Sequence, residues 1–216
     1  MSRQVCDELS NGLLANAQTF LGKNVVWLGL DSQKGVVEKS TRRFDFSKLT
    51  TQVVQGGSIY QPTAVGSGHI NGSLKVTYLP WAPDAGYYVI LEPNRGPDIM
   101  FTAMLSGCAV GYVRANDGAV RVSHHNIQGT DETDEPAQIN SLGFAAGTFH
   151  RSEYRSASVK VKSGWYVKKE GYGFVFGVRT GGVWHMYAQA IESKTKQNLQ
   201  TAASISAVSI LDVHEI

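Results

Sequence analysis

Cysteine is scarce in this chain: only Cys6 and Cys108 occur among 216 residues. Two cysteines cannot form the disulfide scaffold of a small secreted domain, so we expect reducing surroundings at the site of action. The chain has no run of 18 apolar residues, and no transmembrane helix is predicted. The N-terminus lacks a basic segment followed by an apolar one, so any secretion is expected to proceed without a Sec-type signal peptide.

The chain has no large excess of positive or negative charge, and several common site motifs are also missing. The formal net charge is +2, which gives no electrostatic reason to expect nucleic-acid binding. The sequence contains no GxxxxGK[ST] phosphate loop, no GxGxxG opening a helix and no HExxH zinc motif. His124 and His125 are adjacent, so in a strand they point to opposite faces and do not form a chelating pair. We therefore expect no cofactor and no metal.

Patterns typical of β-strands cover most of the sequence. A helix is predicted over residues 3 to 21, because apolar residues recur every four positions. From residue 51 onward, short β-branched and aromatic runs alternate with glycine- and proline-rich turns. Thr51 to Gln55 is predicted as a strand, and Lys194 to Gln200 as a polar connection before a last strand. About ten strands and one helix predict an α+β, mainly β fold: a β-sandwich or curled mixed sheet with the N-terminal helix packed on one face. The length indicates a single domain over residues 1–216.

The segment around Cys108 carries the strongest chemical signal. Apolar runs on both sides of Asn116-Asp117-Gly118 predict a β-hairpin. A three-residue loop with Gly118 left-handed puts Cys108 on one face with His124. A two-residue loop puts it with His125 instead. The first arrangement gives the more apolar face, and register follows the buried face, so His124 is favoured and His125 remains the alternative.

A thiol and an imidazole on one sheet face are the minimal parts of a cysteine nucleophile. The thiolate is the reactive form, and a neighbouring imidazolium lowers the pKa of the thiol. Gly107 can take a strained turn and let a substrate carbonyl approach the backbone. Backbone amides around Ser106, Gly107 and Cys108 could then act as oxyanion donors. The competing interpretation is structural, since cysteine often serves as a small buried apolar side chain.

Leu105-Ser106-Gly107-Cys108, followed by a strand, a turn and a histidine on the return strand, resembles the catalytic core of bacterial toxin glutamine deamidases. These are the cytotoxic necrotizing factor catalytic domains and the Burkholderia lethal factor type, with chemoreceptor glutamine deamidases as distant relatives. The resemblance implies that Cys108 is the nucleophile and that His124 or His125 is the general base. It also implies that Thr102, six positions before Cys108, orients the histidine.

The resemblance further implies a catalytic domain that converts one glutamine of a host protein to glutamate, the target being a translation-initiation helicase or a Rho-type GTPase. It implies a bacterial effector that acts in the host cytoplasm. We expect a monomer with no membrane partner, whose acidic segment Thr130 to Pro136 contacts the target. Two other functions stay open. One is a cysteine hydrolase or transglutaminase with the same residue pair. The other is a non-catalytic β-sandwich binding module with Trp81, Tyr87 and Tyr88 as an aromatic surface.

Overall fold

Strands dominate the part of the chain that the computed structural model describes, namely residues 2–28, 40–49, 56–64, 72–81, 85–126, 135–144, 147–154, 157–162, 165–198 and 204–216. The helices are α1 (Ser2–Leu21), α2 (Glu135–Ser141) and α3 (Arg151–Tyr154). The strands are β1 (Val25–Val26), β2 (Ser40–Leu49), β3 (Ile59–Ala64), β4 (Leu74–Leu79), β5 (Ala85–Leu91), β6 (Ile99–Thr102), β7 (Ala109–Arg114), β8 (Val120–Asn126), β9 (Gly147–Phe149), β10 (Ala157–Lys162), β11 (Trp165–Thr180), β12 (Val183–Asn198) and β13 (Ser204–Glu215).

These strands form two sheets. The larger sheet has nine strands in the order β1-β3-β2-β4-β6-β11-β12-β13, with β10 also paired to β11. The smaller sheet has four strands in the order β5-β8-β7-β9. The pairs β1–β3 and β4–β6 are parallel, and the other pairs are antiparallel. The predicted class, α+β and mainly β with an N-terminal helix on one face, is confirmed.

Helix α1 packs against the larger sheet. Its buried residues recur every four positions, as predicted, and each fully buried leucine contributes about 1.5–3 kcal/mol. They are Leu9, Leu13, Ala17 and Leu21. The helix is interrupted at Asn16, whose backbone is not helical. The Asn16 side-chain oxygen accepts a hydrogen bond from the Thr19 N–H at 2.9 Å, so Asn16 acts as the N-cap of the last turn.

A second core fills the space between the two sheets. The larger sheet contributes Met100, Val175 and Trp184, and the smaller sheet contributes Val110 and Val122. Cys108 belongs to this same cluster. The face of the smaller sheet that the sequence assigned to Cys108 is therefore a buried face.

Local predictions have mixed outcomes. The hairpin between β7 and β8 closes with a hydrogen bond from Ala115 N–H to the Ala119 carbonyl at 2.8 Å, and Gly118 has a φ of 84°. The three-residue loop is confirmed. The prediction of a polar connection from Lys194 is wrong, because β12 continues to Asn198 between β11 and β13. Thr51 to Gln55 lies outside the described residues. None of the described helices is both long and apolar enough to span a membrane.

Candidate active site

Cys108 lies immediately before β7, on the segment that leaves the larger sheet after β6. Its side chain is 7% exposed. The preceding Gly107 has a φ of 152°, a conformation that residues with a Cβ rarely adopt. A Cβ at Gly107 would meet no atom within 4 Å, so the requirement for glycine is conformational rather than spatial. The backbone is thus turned sharply just before the thiol.

Tyr154, at the end of α3, holds this turn. The Gly107 N–H donates to the Tyr154 hydroxyl oxygen at 3.0 Å, and the Tyr154 hydroxyl donates to the Cys108 carbonyl at 2.5 Å. Gly173 leaves room for the ring, because a Cβ there would lie 2.8 Å from Tyr154 Cδ1. The Gly107 amide, predicted as an oxyanion donor, is therefore already occupied by Tyr154. Sequence reasoning missed this residue, since it lies 46 positions from Cys108 in a segment without a local signal.

The register of the β7–β8 hairpin decides which histidine shares a face with Cys108. Val110 pairs with His124, and Ala109 pairs with His125. Cys108 lies two positions before Val110 and packs in the same inter-sheet cluster, so it faces the same side as His124. Such diagonal neighbours have Cα atoms roughly 7–8 Å apart. The structure brings Cys108 and His124 to one face.

His124 is buried as an uncompensated polar group. Its side chain is 1% exposed, and neither ring nitrogen has a hydrogen-bond partner in the described part of the chain. Burial, with a smaller contribution from the charge of His125, lowers the pKa of His124 to about 3. The backbone of Pro80 opposes this shift, but its carbonyl does not complete a hydrogen bond within normal geometry. At neutral pH the imidazole is uncharged, and no hydrogen bond joins it to Cys108.

His125 lies on the opposite face of β8. Its Nε2 is 2.5 Å from the Ser123 hydroxyl oxygen, and its ring meets the edge of Phe144 at a centroid distance of 5.7 Å. Phe144 follows α2, which packs on the outer side of the smaller sheet through Ile139. The two adjacent histidines therefore occupy separate environments, and His125 does not face Cys108.

Thr102 and Ser106, two further predicted site residues, differ in burial. Thr102 is fully buried and follows Met100 by two positions, so it faces the space between the sheets. Its hydroxyl oxygen accepts a hydrogen bond from the Val175 N–H at 3.1 Å, and no hydrogen bond joins it to His124. Ser106 is exposed. The orienting role of Thr102 and the oxyanion role of Ser106 stay predictions.

The aromatic residues considered for a binding surface do not share one face. Tyr87 packs against the inter-sheet core, whereas Trp81 packs against the core beneath α1. Tyr88 is on the outer face of β5, where the Arg121 guanidinium lies 5.5 Å from its ring centroid. Of the acidic segment Thr130 to Pro136, only its last two residues are described, at the start of α2. Among the described residues, no group of three or more His, Cys, Asp and Glu side chains is placed to hold a metal ion.

Comparisons with known proteins give little further information. No protein-family model matches the chain, and no curated protein matches it in sequence. Among solved structures, the chain is similar to the crystal structure of the C-terminal domain of CNFy from Yersinia pseudotuberculosis. That similarity has a TM-score of 0.42 and 9% sequence identity, over 100% of this chain and 99% of the other. A likeness this low assigns no function, so function has to be argued from the site itself.

Proposed function

We propose that this protein is a protein-glutamine deamidase that uses Cys108 as nucleophile and His124 as general base. The observation that carries the proposal is one buried face that holds both the thiol, placed after a positive-φ glycine, and an imidazole with two unpartnered nitrogens. A buried polar group without a partner costs free energy. Such a cost is typical of groups that are retained for chemistry. The choice of glutamine comes from the resemblance of Leu105 to Cys108 to the toxin deamidase motif.

In the first half of the reaction, the neutral His124 accepts the Cys108 thiol proton while Sγ attacks the glutamine carboxamide carbon. The C–S bond forms, and the carbonyl electrons move onto oxygen. When this intermediate collapses, the C–N bond breaks and ammonia leaves with the proton that His124 held. A thioester remains on Cys108. At neutral pH the ring is unprotonated and has a nitrogen that can accept the proton, although a pKa of about 3 makes it a weaker base than an ordinary imidazole.

In the second half, water attacks the thioester carbon and gives a proton to His124. The C–S bond breaks, Sγ takes the proton back, and glutamate is released. The net change is glutamine plus water to glutamate plus ammonia. The Gly107 amide can stabilise the oxyanion only if Tyr154 releases it, since the phenol oxygen accepts its hydrogen in this structure.

A second candidate function also has an observation in its favour. Cys108 is buried, and His124 makes no hydrogen bond to it. A purely structural pair in a non-catalytic β-sandwich binding module would show the same features. The two functions differ in thiol reactivity, because a nucleophile must be reachable and ionisable, whereas a structural cysteine is inert.

The two cysteines provide a matched test. Cys6 is also buried, its thiol donates to the Phe44 carbonyl, and burial raises its pKa. We expect a thiol-alkylating probe at neutral pH to label Cys108 faster than Cys6, as measured by peptide mass mapping. Cys108→Ser should keep the fold and abolish deamidation, while Cys6→Ser should retain it.

Activity would be read as glutamine-to-glutamate conversion in a translation-initiation helicase and in a Rho-type GTPase, by peptide mapping after incubation. Equal, slow labelling of both cysteines together with no conversion would reject the deamidase and support the binding module. Conversion that persists in Cys108→Ser would show that a different group is the nucleophile.

A further inference from the structure

A groove lies on the outer face of the smaller sheet, on the side of β8 away from Cys108. It has a volume of about 310 Å³ and opens to solvent between Tyr88, which is 44% exposed, and Leu142, which is 54% exposed. Its lining also includes Gly86, Arg121, His125 and Phe144. The deamidation mechanism uses none of these residues.

His125 supplies an unpartnered polar atom to this groove. The side chain is 4% exposed, and its Nδ1 has no hydrogen-bond partner among the described residues. Gly86 is its Cα partner across β5 and β8. A Cβ at Gly86 would have His125 Nδ1 as its nearest neighbour, at 3.7 Å. The missing side chain at Gly86 therefore leaves space directly over Nδ1.

The contacts of Ser123 allow two positions for the proton on the His125 ring. The Ser123 hydroxyl donates to the Gly111 carbonyl at 3.5 Å, and its oxygen lies 2.5 Å from His125 Nε2. A hydroxyl has one proton: if it goes to the Gly111 carbonyl, Nε2 donates to Ser123 and Nδ1 is a bare acceptor, and if it goes to Nε2, Nδ1 carries the ring proton. Nδ1 needs a partner in either tautomer, and the first tautomer is the one used below. Burial lowers the pKa of His125, which keeps the ring neutral at physiological pH.

Arg121 restricts what can bind opposite Nδ1. Its guanidinium contributes a positive charge and N–H donors to the groove. A cationic donor such as an ammonium group would be repelled. A carboxylate would satisfy Arg121 but would present no hydrogen to Nδ1. A primary carboxamide carries both an N–H for Nδ1 and an oxygen for Arg121, and its flat shape suits a groove between Tyr88 and Phe144.

We propose that this groove is a binding site for a primary carboxamide, which donates to His125 Nδ1 and accepts from Arg121. The carboxamide belongs either to a small molecule or to an asparagine or glutamine side chain of a partner protein. The site does not depend on the chemistry at Cys108, so its test needs no catalytic activity.

Three benzene derivatives that differ in their polar group test the chemistry of the groove. Benzamide, benzoate and benzylamine are titrated separately into ¹⁵N-labelled protein, and the ring nitrogen resonances of His125 are followed by NMR. We expect benzamide to shift the Nδ1 resonance and to bind roughly tenfold or more tightly than the other two, since benzoate leaves the buried Nδ1 unpaired and benzylamine brings a second positive charge close to Arg121. Benzoate binding as tightly as benzamide would overturn the proposal, because Nδ1 would then be a donor. Absence of any benzamide effect would overturn it as well.

Substitutions in the groove and beside it test where benzamide binds. Gly86→Ala places a methyl group at ordinary contact distance over Nδ1, so the fold should remain intact while benzamide affinity falls by roughly tenfold or more. Ile90→Ala, on the same face of β5 but outside the groove, is the control and should bind benzamide like the wild type. Unchanged affinity in Gly86→Ala would refute the site.

Free glutamine and a glutamine within a short peptide distinguish the two possible sources of the carboxamide. Binding of the free amino acid indicates a small-molecule amide, and binding of the peptide alone indicates a protein side chain.

Discussion

His124 is the residue whose environment is hardest to explain by stability alone. Neither nitrogen of its imidazole has a hydrogen-bond partner among the described residues, although the ring is buried between Tyr87 and Val110 of the neighbouring strands. An apolar residue of similar size would avoid the cost of burying two unsatisfied polar atoms. In the proposed mechanism, the thiol of Cys108 on the same face gives the imidazole a chemical use, which a purely structural role does not.

Tyr154 is the residue that we expect to position the nucleophile. Tyr154→Phe removes both hydrogen bonds that its hydroxyl makes around the Gly107–Cys108 peptide. The substitution also frees the Gly107 N–H for an oxyanion, but small displacements of a reacting group are costly, so we expect a net fall in kcat for deamidation of about 10- to 100-fold. The alkylation rate of Cys108 should change as well, and this readout needs no substrate.

Tyr112→Phe is the matched control for that substitution. The Tyr112 hydroxyl also donates to a backbone carbonyl, that of Ile216, at 2.6 Å. Tyr112→Phe therefore removes a comparable hydrogen bond away from the turn at Cys108. A similar loss in both variants would indicate general destabilisation. An unchanged kcat and alkylation rate in Tyr154→Phe would show that the phenol does not position Cys108.

The register of the β7–β8 hairpin decides which histidine can be the general base of the proposed reaction. Its register places His124 on the inner face and His125 on the outer face. We expect His124→Ala to lower the deamidation rate by about 10²- to 10⁴-fold, as for loss of a general base. His125→Ala should lower it much less, because His125 lies on the opposite face of β8 from Cys108. Steady-state kinetics of both variants provide the ranking, and the reverse ranking would contradict the assignment of His124.

The sequence predicted this hairpin because its two possible registers bury different faces. Only the three-residue loop buries Val110, Tyr112 and Val122 together, so the hydrophobic pattern was decisive. The far end of β12 was not predictable in the same way. Residues 192–198 (ESKTKQN) carry no apolar alternation, and they are in a strand because β11 and β13 pair with them on both sides. Tertiary pairing overrides local propensity there.

The site was predictable only in part for a related reason. Cys108 and His124 belong to one hairpin, so local spacing could place them on a common face. Tyr154 reaches the Gly107–Cys108 peptide from α3, through a space left by Gly173 of β11. Neither contact leaves a signal in sequence spacing, because both depend on how the two sheets are stacked.

At the scale of the whole molecule, α1, the larger sheet and the smaller sheet are stacked around two cores. This stacking buries His124 in the inner core, and Phe144, which follows α2, contacts His125 on the outer side of the smaller sheet. Two ionisable rings are thereby held in the neutral form, since burial lowers both pKa values. Folding of the whole protein is consequently linked to pH through these two residues.

The last prediction follows from this linkage. The pKa of His124 is about 3 when folded and 6.5 when unperturbed. Between these values the unfolded chain binds a proton that the folded protein does not, so the free energy of unfolding must fall as the pH falls through this window. One such group contributes a slope of about 1.4 kcal/mol per pH unit. His124→Gln should therefore lose about 2 kcal/mol less stability than the wild type between pH 7 and pH 5, measured by urea denaturation.

Val122→Ala, an apolar truncation on the same face, is the control: it should be less stable than the wild type but keep the wild-type pH dependence. Parallel curves for the wild type and His124→Gln would mean that folding leaves the pKa of His124 near its ordinary value, which would contradict burial of the imidazole without a partner.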